Sequence, residues 1–594
     1  MAKKETTNGA SFGKIMLASA AGIVAIGFII NIFSFLFFMG VAAKAMKEKE
    51  IPENTVLKIK LDYPVVEQQQ DDFMFDFDIP FGMNNIRKVG LNKILAGIKK
   101  AKTDKSIEGI FLDMTTISCS LSELEEIRNA LLDFKTSGKF IIAQSDYYYA
   151  KNYYLASVAD KIYMTPTGTF LWKGFSAGVL YYKKLLKKIG VDPIIVRHGK
   201  YKSAVEPYLL DTMSNANREQ LQAMLDNYWN KYIETIAETR GLDKNSLNNY
   251  ADNLLLNSDQ KAVDFGFIDA LKFRNDVIDE IKSLIGIKKE KSLKTITLAK
   301  YISTVEKENV SHKKDKIAIV YAEGQIISGK STDGKMGSTT IAEAIRKASM
   351  NKEVKAIVLR VNSPGGSALA SEVILNEIIL AKKNKPVIVS MGKYAASGGY
   401  YISCFGDKIF AEPYTLTGSI GVFGMFFNIQ DLINNKLGIN YEVVKTNQNS
   451  DIGNFTRPMN EAQLNFYTAQ IENIYKVFIK HVAEGRNLNK DYVDSIGQGR
   501  IWCADDALRI GLIDEIGSIN DAVEYAAKTA GISEYSIKEY PKVKSYFEKF
   551  MENYEMSITR KKLGVFYDTY NEIENLQYMQ GIQAIIPYKL EITN

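Results

Sequence analysis

The 594-residue sequence predicts an α/β protein: a tandem repeat of two copies of one domain behind a single N-terminal transmembrane helix. Three observations predict it: an uncharged apolar run near the start, a self-match at one offset over most of the chain, and short β-branched runs alternating with helix-periodic ones inside each copy. Hydrophobic residues make up 46% and charged residues 24%, a globular composition that excludes a mostly disordered, collagen-like or disulfide-scaffold protein. The net charge of +6, from 75 basic against 69 acidic residues, is a small excess for this length and gives no strong case for a nucleic-acid partner. Cys119, Cys404 and Cys503 are odd in number and lack metal-ligand spacing, which argues against both a disulfide framework and a zinc ribbon. Histidine is as scarce, with His198, His312 and His481 the whole supply, so acid–base chemistry has to rely largely on other residues.

From Ile15 to Ala43 the chain runs 29 residues without a charge, and Asn31 is its one strongly polar member. At about 1.5 Å per residue this exceeds the roughly 30 Å hydrocarbon core of a bilayer. The run is too long for the apolar region of a cleaved signal peptide, although Ala43-Lys44-Ala45 offers a small-x-small site, so an uncleaved anchor is expected. Lys3, Lys4 and Lys14 favour a cytoplasmic N-terminus for residues 1–14, but Lys44, Lys47 and Lys49 follow the span closely and weaken that rule. No later segment matches this length and apolarity, so everything after about residue 50 is expected on one side of the membrane.

At a constant offset of 247, Ile110 coincides with Ile357, Leu112 with Leu359, Tyr153-Tyr154 with Tyr400-Tyr401, Asp160-Lys161-Ile162 with Asp407-Lys408-Ile409, Pro166 with Pro413 and Gly174 with Gly421. Further on the register slips by loop-sized amounts, and Gly266-Phe267-Ile268-Asp269 answers Gly511-Leu512-Ile513-Asp514. The copies are placed at 54–287 and 316–547, with a Lys-, Glu- and Ser-rich linker at 288–315 and a tail at 548–594 that matches neither copy and receives no role. In the second copy Lys316–Tyr321, Ala356–Val361 and Pro386–Ser390 read as buried strands. Between the latter two, Ala370–Lys382 has helical spacing, with Val373, Leu375, Ile378, Ile379 and Leu380 on or near its apolar side. This is a right-handed crossover unit. Glu461–Arg486 is a long periodic helix, answered in the first copy by Arg218–Arg240.

Gly324 to Ser331 fits the phosphate-loop pattern G-x-x-x-x-G-K-[ST], which works only where a helix starts at the lysine. Thr332, Asp333, Gly334 and Gly337 continue a helix poorly, so a strand leading into a loop is the better reading. Two other clusters carry more. Asn362-Ser363-Pro364-Gly365-Gly366-Ser367 follows the strand ending at Val361, and paired glycines let backbone N–H groups approach a ligand, as an oxyanion hole requires. Ala395-Ala396-Ser397-Gly398-Gly399-Tyr400 exposes a serine hydroxyl at an expected helix N-terminus. The repeat supplies an internal control: Ser397 answers Ala150, Gly398-Gly399 answer Lys151-Asn152, and Pro364-Gly365-Gly366 answer Ile117-Ser118-Cys119. Turns needed by the fold would recur in both copies, so these point to function. A serine hydroxyl needs a base. His481, the second copy's one histidine, sits in the long helix far along the chain, and lysine is the remaining usual choice where burial lowers its pKa. Composition alone does not choose among the lysines.

These residues resemble a family. The span, the tandem repeat, Ser363-Pro364-Gly365-Gly366, Ala395 to Tyr400, Leu416-Thr417-Gly418-Ser419-Ile420-Gly421-Val422 and Tyr201-Lys202-Ser203-Ala204-Val205-Glu206-Pro207 look like the signal peptide peptidase A family in its long bacterial form, over about residues 15 to 545. The resemblance implies the Clp-protease/crotonase-like fold and a serine protease with a Ser–Lys dyad split between the copies. Carried over residue by residue, it implies Ser397 as nucleophile, Lys202 as general base, Ser419 as the serine that orients the lysine, and Gly365 or Gly366 with Gly398 as oxyanion donors. With a one-residue slip that aligns Gly190 with Gly438, Lys202 answers Ser450, so each copy holds one half of the dyad. The resemblance further implies remnant signal peptides as substrates, a homotetramer, the soluble part on the periplasmic side of the inner membrane, and neither ATP nor metal. Competing readings are a related membrane protease with other substrates, a crotonase-type acyl-CoA enzyme, which would not require Ser397 or Lys202, and an inactive membrane scaffold, which the intact dyad disfavours.

Overall fold

A parallel strand buried on both faces needs helices above and below it, and both halves of this chain meet that need in the same way. The computed structural model describes residues 51–68, 88–114, 116–308, 313–332, 334–542 and 581–585. The expected span at 15–43 lies outside them, and among the described residues no helix is long and apolar enough to cross a membrane. From Asn54 onward the described residues form one compact unit.

In the first half five parallel strands run in the spatial order Ala270–Leu271, Lys161–Phe170, Phe140–Tyr148, Ile107–Asp113, Thr55–Ile59, with Lys294–Thr297 at the far edge. The second half repeats this order with Glu515–Ile516, Lys408–Ala411, Val387–Ala396, Val354–Ser363, Lys316–Glu323 and Ser536–Tyr540. Period-2 alternation sorts the side chains. Ile317, Ile319 and Tyr321 face the helix Ile519–Thr529, while Ala318, Val320 and Ala322 join the larger core with helices Ser338–Met350 and Ala368–Lys382.

The differences from the sequence reading are local. Helix Ala368–Lys382 buries Ile374, Leu375, Ile378 and Ala381, but Val373 and Leu380 are exposed. The long helix spans Glu461–Arg486 as expected, and its counterpart begins earlier, at Asn215. The strand expected to stop at Ser390 continues to Ala396, because Tyr394–Ala396 pair with Leu416–Gly418. The 288–315 stretch read as a linker contains a strand, Lys294–Thr297, and a helix, Leu298–Glu308. That strand pairs with Thr55–Ile59 as Ser536–Tyr540 pairs with Lys316–Glu323, so the first copy extends past residue 287. After Gly324 a short strand, Gln325–Ile327, is followed by a turn, and the next helix starts at Ser338 rather than at Lys330, as a loop reading requires. Within the tail, Gly581–Ile585 forms a strand. The three cysteines are buried and unpaired.

Two features lock the halves together. Asp192–His198 of the first half pairs antiparallel with Val422–Asn428 of the second over seven residues, from Val422 opposite His198 to Asn428 opposite Asp192. Deeper in the interface the fully buried Arg360 guanidinium meets Glu67 at 2.9 Å, Ser390 Oγ at 2.9 Å, Glu126, and Glu412 at 3.7 Å. Burial first, then the neighbouring carboxylate, Glu67 beside Glu126 and Glu126 beside Glu412, pushes both carboxyls above the usual range, against the pull of Arg360. Removing one partner of a buried ion cluster costs about 3–5 kcal/mol because the others keep their desolvation penalty. Arg360→Met is therefore expected to lower the thermal unfolding midpoint, and by less at pH 5 than at pH 8, since proton uptake by Glu126 and Glu412 relieves the abandoned charge. An unchanged midpoint at pH 8 would show that the cluster does not hold the halves.

Candidate active site

The strand Val387–Ala396 delivers Ser397 to the start of the short helix Gly398–Ser403. Ser397 has φ +56° and ψ −114°, a backbone conformation that side chains other than glycine rarely adopt. Its N–H donates to the Gly418 carbonyl at 2.7 Å, which fixes the bend, and the residue is fully buried. Gly365 lies beside it at φ +100°; a Cβ there would sit 2.8 Å from the Gly398 nitrogen, so only glycine leaves that space open. The Gly366 nitrogen lies 3.1 Å from the place a Cβ on Gly398 would take. The structure thus gathers Gly365, Gly366 and Gly398 around one small space beside Ser397.

Lys202 reaches this point from the other half. The strand Asp192–His198, held by its partner Val422–Asn428, ends in a turn at Gly199, and Lys202 caps the single 3-10 turn Ser203–Val205. Gln220 steadies that turn by donating to Ser203 Oγ at 2.7 Å and to the Tyr201 carbonyl at 3.2 Å. Arg197 donates to the Lys202 carbonyl at 3.3 Å, and Tyr201 N–H donates to the Gln498 carbonyl at 2.8 Å. Gly499, at φ +77°, approaches so closely that a Cβ would come within 2.7 Å of Lys202 Cβ.

Lys202 Nζ lies 2.7 Å from Ser397 Oγ, 2.9 Å from Ser419 Oγ and 3.1 Å from the Ser419 carbonyl oxygen. All three residues are fully buried. Burial alone drives the Lys202 amine well below its usual pKa, with no carboxylate opposing the shift. A neutral amine has two N–H donors and one lone pair. Three contacts match that inventory when Ser419 accepts both hydrogens and the lone pair faces the Ser397 hydroxyl. Among the described residues both histidines are engaged elsewhere: His198 Nδ1 lies 2.7 Å from Glu472, and His481 Nε2 lies 3.1 Å from Glu372.

The structure brings into one site all six residues named above: Ser397 and the three glycines, which the sequence motifs single out, and Lys202 and Ser419, which the family resemblance implies. Gln220, Arg197, Gly421 and Gly499 are given no role by the sequence motifs, yet all four contact or flank the Lys202 turn. A Cβ at Gly421 would sit 3.3 Å from Lys202 Cδ, so this glycine keeps the lysine's path clear. Gly421 belongs to the Leu416 to Val422 motif, two residues after Ser419. Gln220 belongs to no motif, and a glutamine on a long helix reads as surface.

A hydroxyl polarised by a dry amine next to clustered backbone donors, on a doubly covered parallel sheet, defines a serine hydrolase. Comparison with known proteins agrees. The model described as peptidase family S49 matches residues 133–288 and 379–533, one segment in each half, and the Clp protease model matches residues 307–415. Protease 4 of Haemophilus influenzae is 39% identical over 453 residues, covering 74% of this chain and 73% of that protein. Protease 4 of Salmonella typhi is 36% identical over 467 residues, covering 77% and 75%. The chloroplastic serine protease SPPA of Arabidopsis thaliana is 32% identical over 451 residues, covering 75% and 66%. The chain belongs to peptidase family S49, in its long form with two S49 regions on a Clp-protease-like α/β fold, and it is a serine peptidase.

The depressed lysine has a consequence for stability. The unfolded chain binds a proton at Lys202 up to about pH 10.4, whereas the folded chain releases it well below that, so stability rises with pH through this window. The stability of the protein minus that of a Lys202→Met variant is expected to climb by about 1.4 kcal/mol per pH unit there. Unfolding measured from pH 6 to pH 10 checks this, and a pH-independent difference would mean a charged lysine in the fold.

Proposed function

We propose that this chain is a membrane-anchored endopeptidase in which Ser397 is the nucleophile, Lys202 the general base and Ser419 the residue that aims it. The observation that carries the reading is the 2.7 Å approach of the dry Lys202 amine to Ser397 Oγ. Ser397 attacks a peptide carbonyl while neutral Lys202 takes its proton. Backbone N–H groups of Gly398 and of Gly365 or Gly366 receive the developing oxyanion. Lys202 then protonates the leaving amine, and water releases the acyl-enzyme with Lys202 again the base.

The substrate class we infer is remnant signal peptides in or at the cytoplasmic membrane, cleaved from the periplasmic side by a homotetramer. An apolar stretch at 15–43 that would anchor the enzyme beside such peptides supports this. So does an apolar wall of Ala204, Val205, Phe423 and Met425 near the site, with Ile195 and Phe427 packed on it, suited to an extended apolar peptide. No cofactor takes part in this scheme.

Purified full chain in detergent, given a signal peptide or a chromogenic peptide ester, is expected to cleave it. Ser397→Ala and Lys202→Ala should each lower kcat/KM by roughly 10³-fold or more, and the double variant should be little slower than either, because the two residues act as one unit. A fluorophosphonate should label Ser397. Full retention of cleavage by either single variant would refute the dyad, and labelling of another serine would refute the nucleophile.

A further inference from the structure

Residues 498–500 pass between the Lys202 turn and the loop that carries Ser419, and their backbone is bonded to both. The Gln498 carbonyl accepts from the Tyr201 N–H at 2.8 Å, and the Gly499 N–H donates to the Ile420 carbonyl at 2.7 Å. The Arg500 carbonyl accepts from the Ser419 N–H at 2.7 Å. That last bond has a strained partner. Ser419 holds φ +50°, in the left-handed region that residues other than glycine rarely adopt, so its backbone stays there only while its surroundings fix it. Just beyond, the Ile501 N–H donates to Gln220 Oε1 at 3.3 Å, which ties the segment to the long helix of the first half.

The Arg500 side chain turns back onto the lysine's own turn. Its guanidinium carbon lies 4.8 Å from the centre of the Tyr201 ring and 4.5 Å from that of Trp502, one ring from each half. Nη1 donates to Tyr201 Oη at 3.2 Å and to Glu219 at 2.9 Å. Tyr201 directly precedes Lys202 in the chain. A planar cation with a fork of donors meets two rings, a hydroxyl and a carboxylate at once, which the point charge of an ammonium does not. One residue therefore holds Ser419 by its carbonyl and the neighbour of Lys202 by its side chain. The spacing of those two parts sets how the amine faces Ser397 Oγ. The repeat again separates fold from function. In the register that matches Gly266 to Gly511, Gly499 answers Leu254 and Arg500 answers Leu255. Leu254 also has a positive φ, +47°, so the turn belongs to the fold, whereas the arginine stands in just the copy that receives the lysine turn.

We propose that Arg500 is a positioning residue for the peptidase reaction, setting the distance and direction of the Lys202 amine relative to Ser397 by joining the lysine turn to Ser419. This rests on the roles given above for Ser397, Lys202 and Ser419. With the side chain gone, the turn loses its tie to the second half, the amine sits less often within reach of the serine, and water enters beside it. The charged and titratable groups around the turn are Arg197, His198, Lys200, Glu206 and Glu219 from the first half, and Glu472, Asp494 and Arg500 from the second. Burial rather than any of these holds the Lys202 amine low, so loss of burial moves it up toward the solvated lysine range.

Ester hydrolysis by the full chain in detergent, with Ser397 sites counted by fluorophosphonate labelling run to completion, tests this. Arg500→Met is expected to lower kcat per labelled serine by on the order of 10²-fold, the scale of a displacement of about 1 Å, with KM within about twofold. Its kcat/KM should also rise at higher pH than in the unchanged chain, because the base must be neutral and a wetter amine loses its proton later. Arg500→Lys should recover part of the rate. A partly unfolded sample has fewer labelled sites, but its kcat per site and its pH profile stay put. Tyr201→Leu, which leaves the Arg500 backbone in place, carries the same expectation and serves where Arg500→Met does not fold. The double variant should be little slower than either, since both break one tie, and losses that multiply would overturn the proposal. Unchanged kcat and pH profile in a folded variant would overturn it, as would a raised KM at unchanged kcat, which puts Arg500 on the substrate instead. Either result, with hydrolysis still abolished by Lys202→Ala, leaves the proposed function standing. Hydrolysis that survives Lys202→Ala refutes both.

Discussion

A primary amine 2.7 Å from a serine hydroxyl is useful as a base only while it is uncharged, and in this protein nothing but dryness keeps it so. Lys202 is fully buried with no carboxylate to hold a proton on it. That dryness exists only where the two halves meet. The lysine arrives on a turn at the end of a first-half strand, the serine and both glycine clusters come from the second half, and the wall around them is made by docking. The seven-residue pairing of Asp192–His198 with Val422–Asn428 and the buried Arg360 cluster are therefore conditions for the chemistry.

The repeat explains how one fold supplies two unlike parts. Both halves have the same sheet order, so both lead a strand to the same place. In the second half the residues there are Ser397, Gly398 and Gly399, and the backbone takes the strained turn. In the first half Ala150, Lys151 and Asn152 occupy the equivalent positions, and Asn152 caps its helix by accepting from the Tyr149 N–H at 2.7 Å. Where the second half has Gly365-Gly366, the first has Ser118-Cys119, followed by a helix with an ordinary Ser120 capping box. A relaxed helix entry carries no oxyanion donors, and the first half's remaining contribution is the lysine turn. Lys202 comes from one copy and Ser397 from the other.

Much of this was legible in the sequence because periodicity and repetition are local or self-referencing signals. The offset of 247 located both halves, the helix Glu461–Arg486 could be read to its ends, and Ser397 stood out because its counterpart is alanine. What was not legible depends on distant partners. Lys294–Thr297 looked like linker because just one of its four side chains, Ile296, is buried, so composition reports solvent where the backbone reports a sheet edge. Strand Val387–Ala396 looked shorter because Gly392 and Lys393 interrupt the β-branched run, while its last residues are held by pairing with Leu416–Gly418. Lys202 was one lysine among many until family resemblance singled it out; what distinguishes it physically is burial created by residues from the other half. Gly581–Ile585 has no intrinsic pattern at all, and its strand exists because two borders more than a hundred and fifty residues earlier leave a slot.

The claim on which the rest depends is that Lys202 is neutral in the folded protein at ordinary pH. Nitrogen-15 NMR of Nζ-labelled lysine in the intact protein, with the Lys202 signal assigned by its disappearance in Lys202→Arg, reads the protonation state of that one amine directly. The account predicts a resonance that titrates well below the lysine range, separate from the solvated lysines. A Lys202 signal that stays ammonium until about pH 10, together with the others, would contradict it.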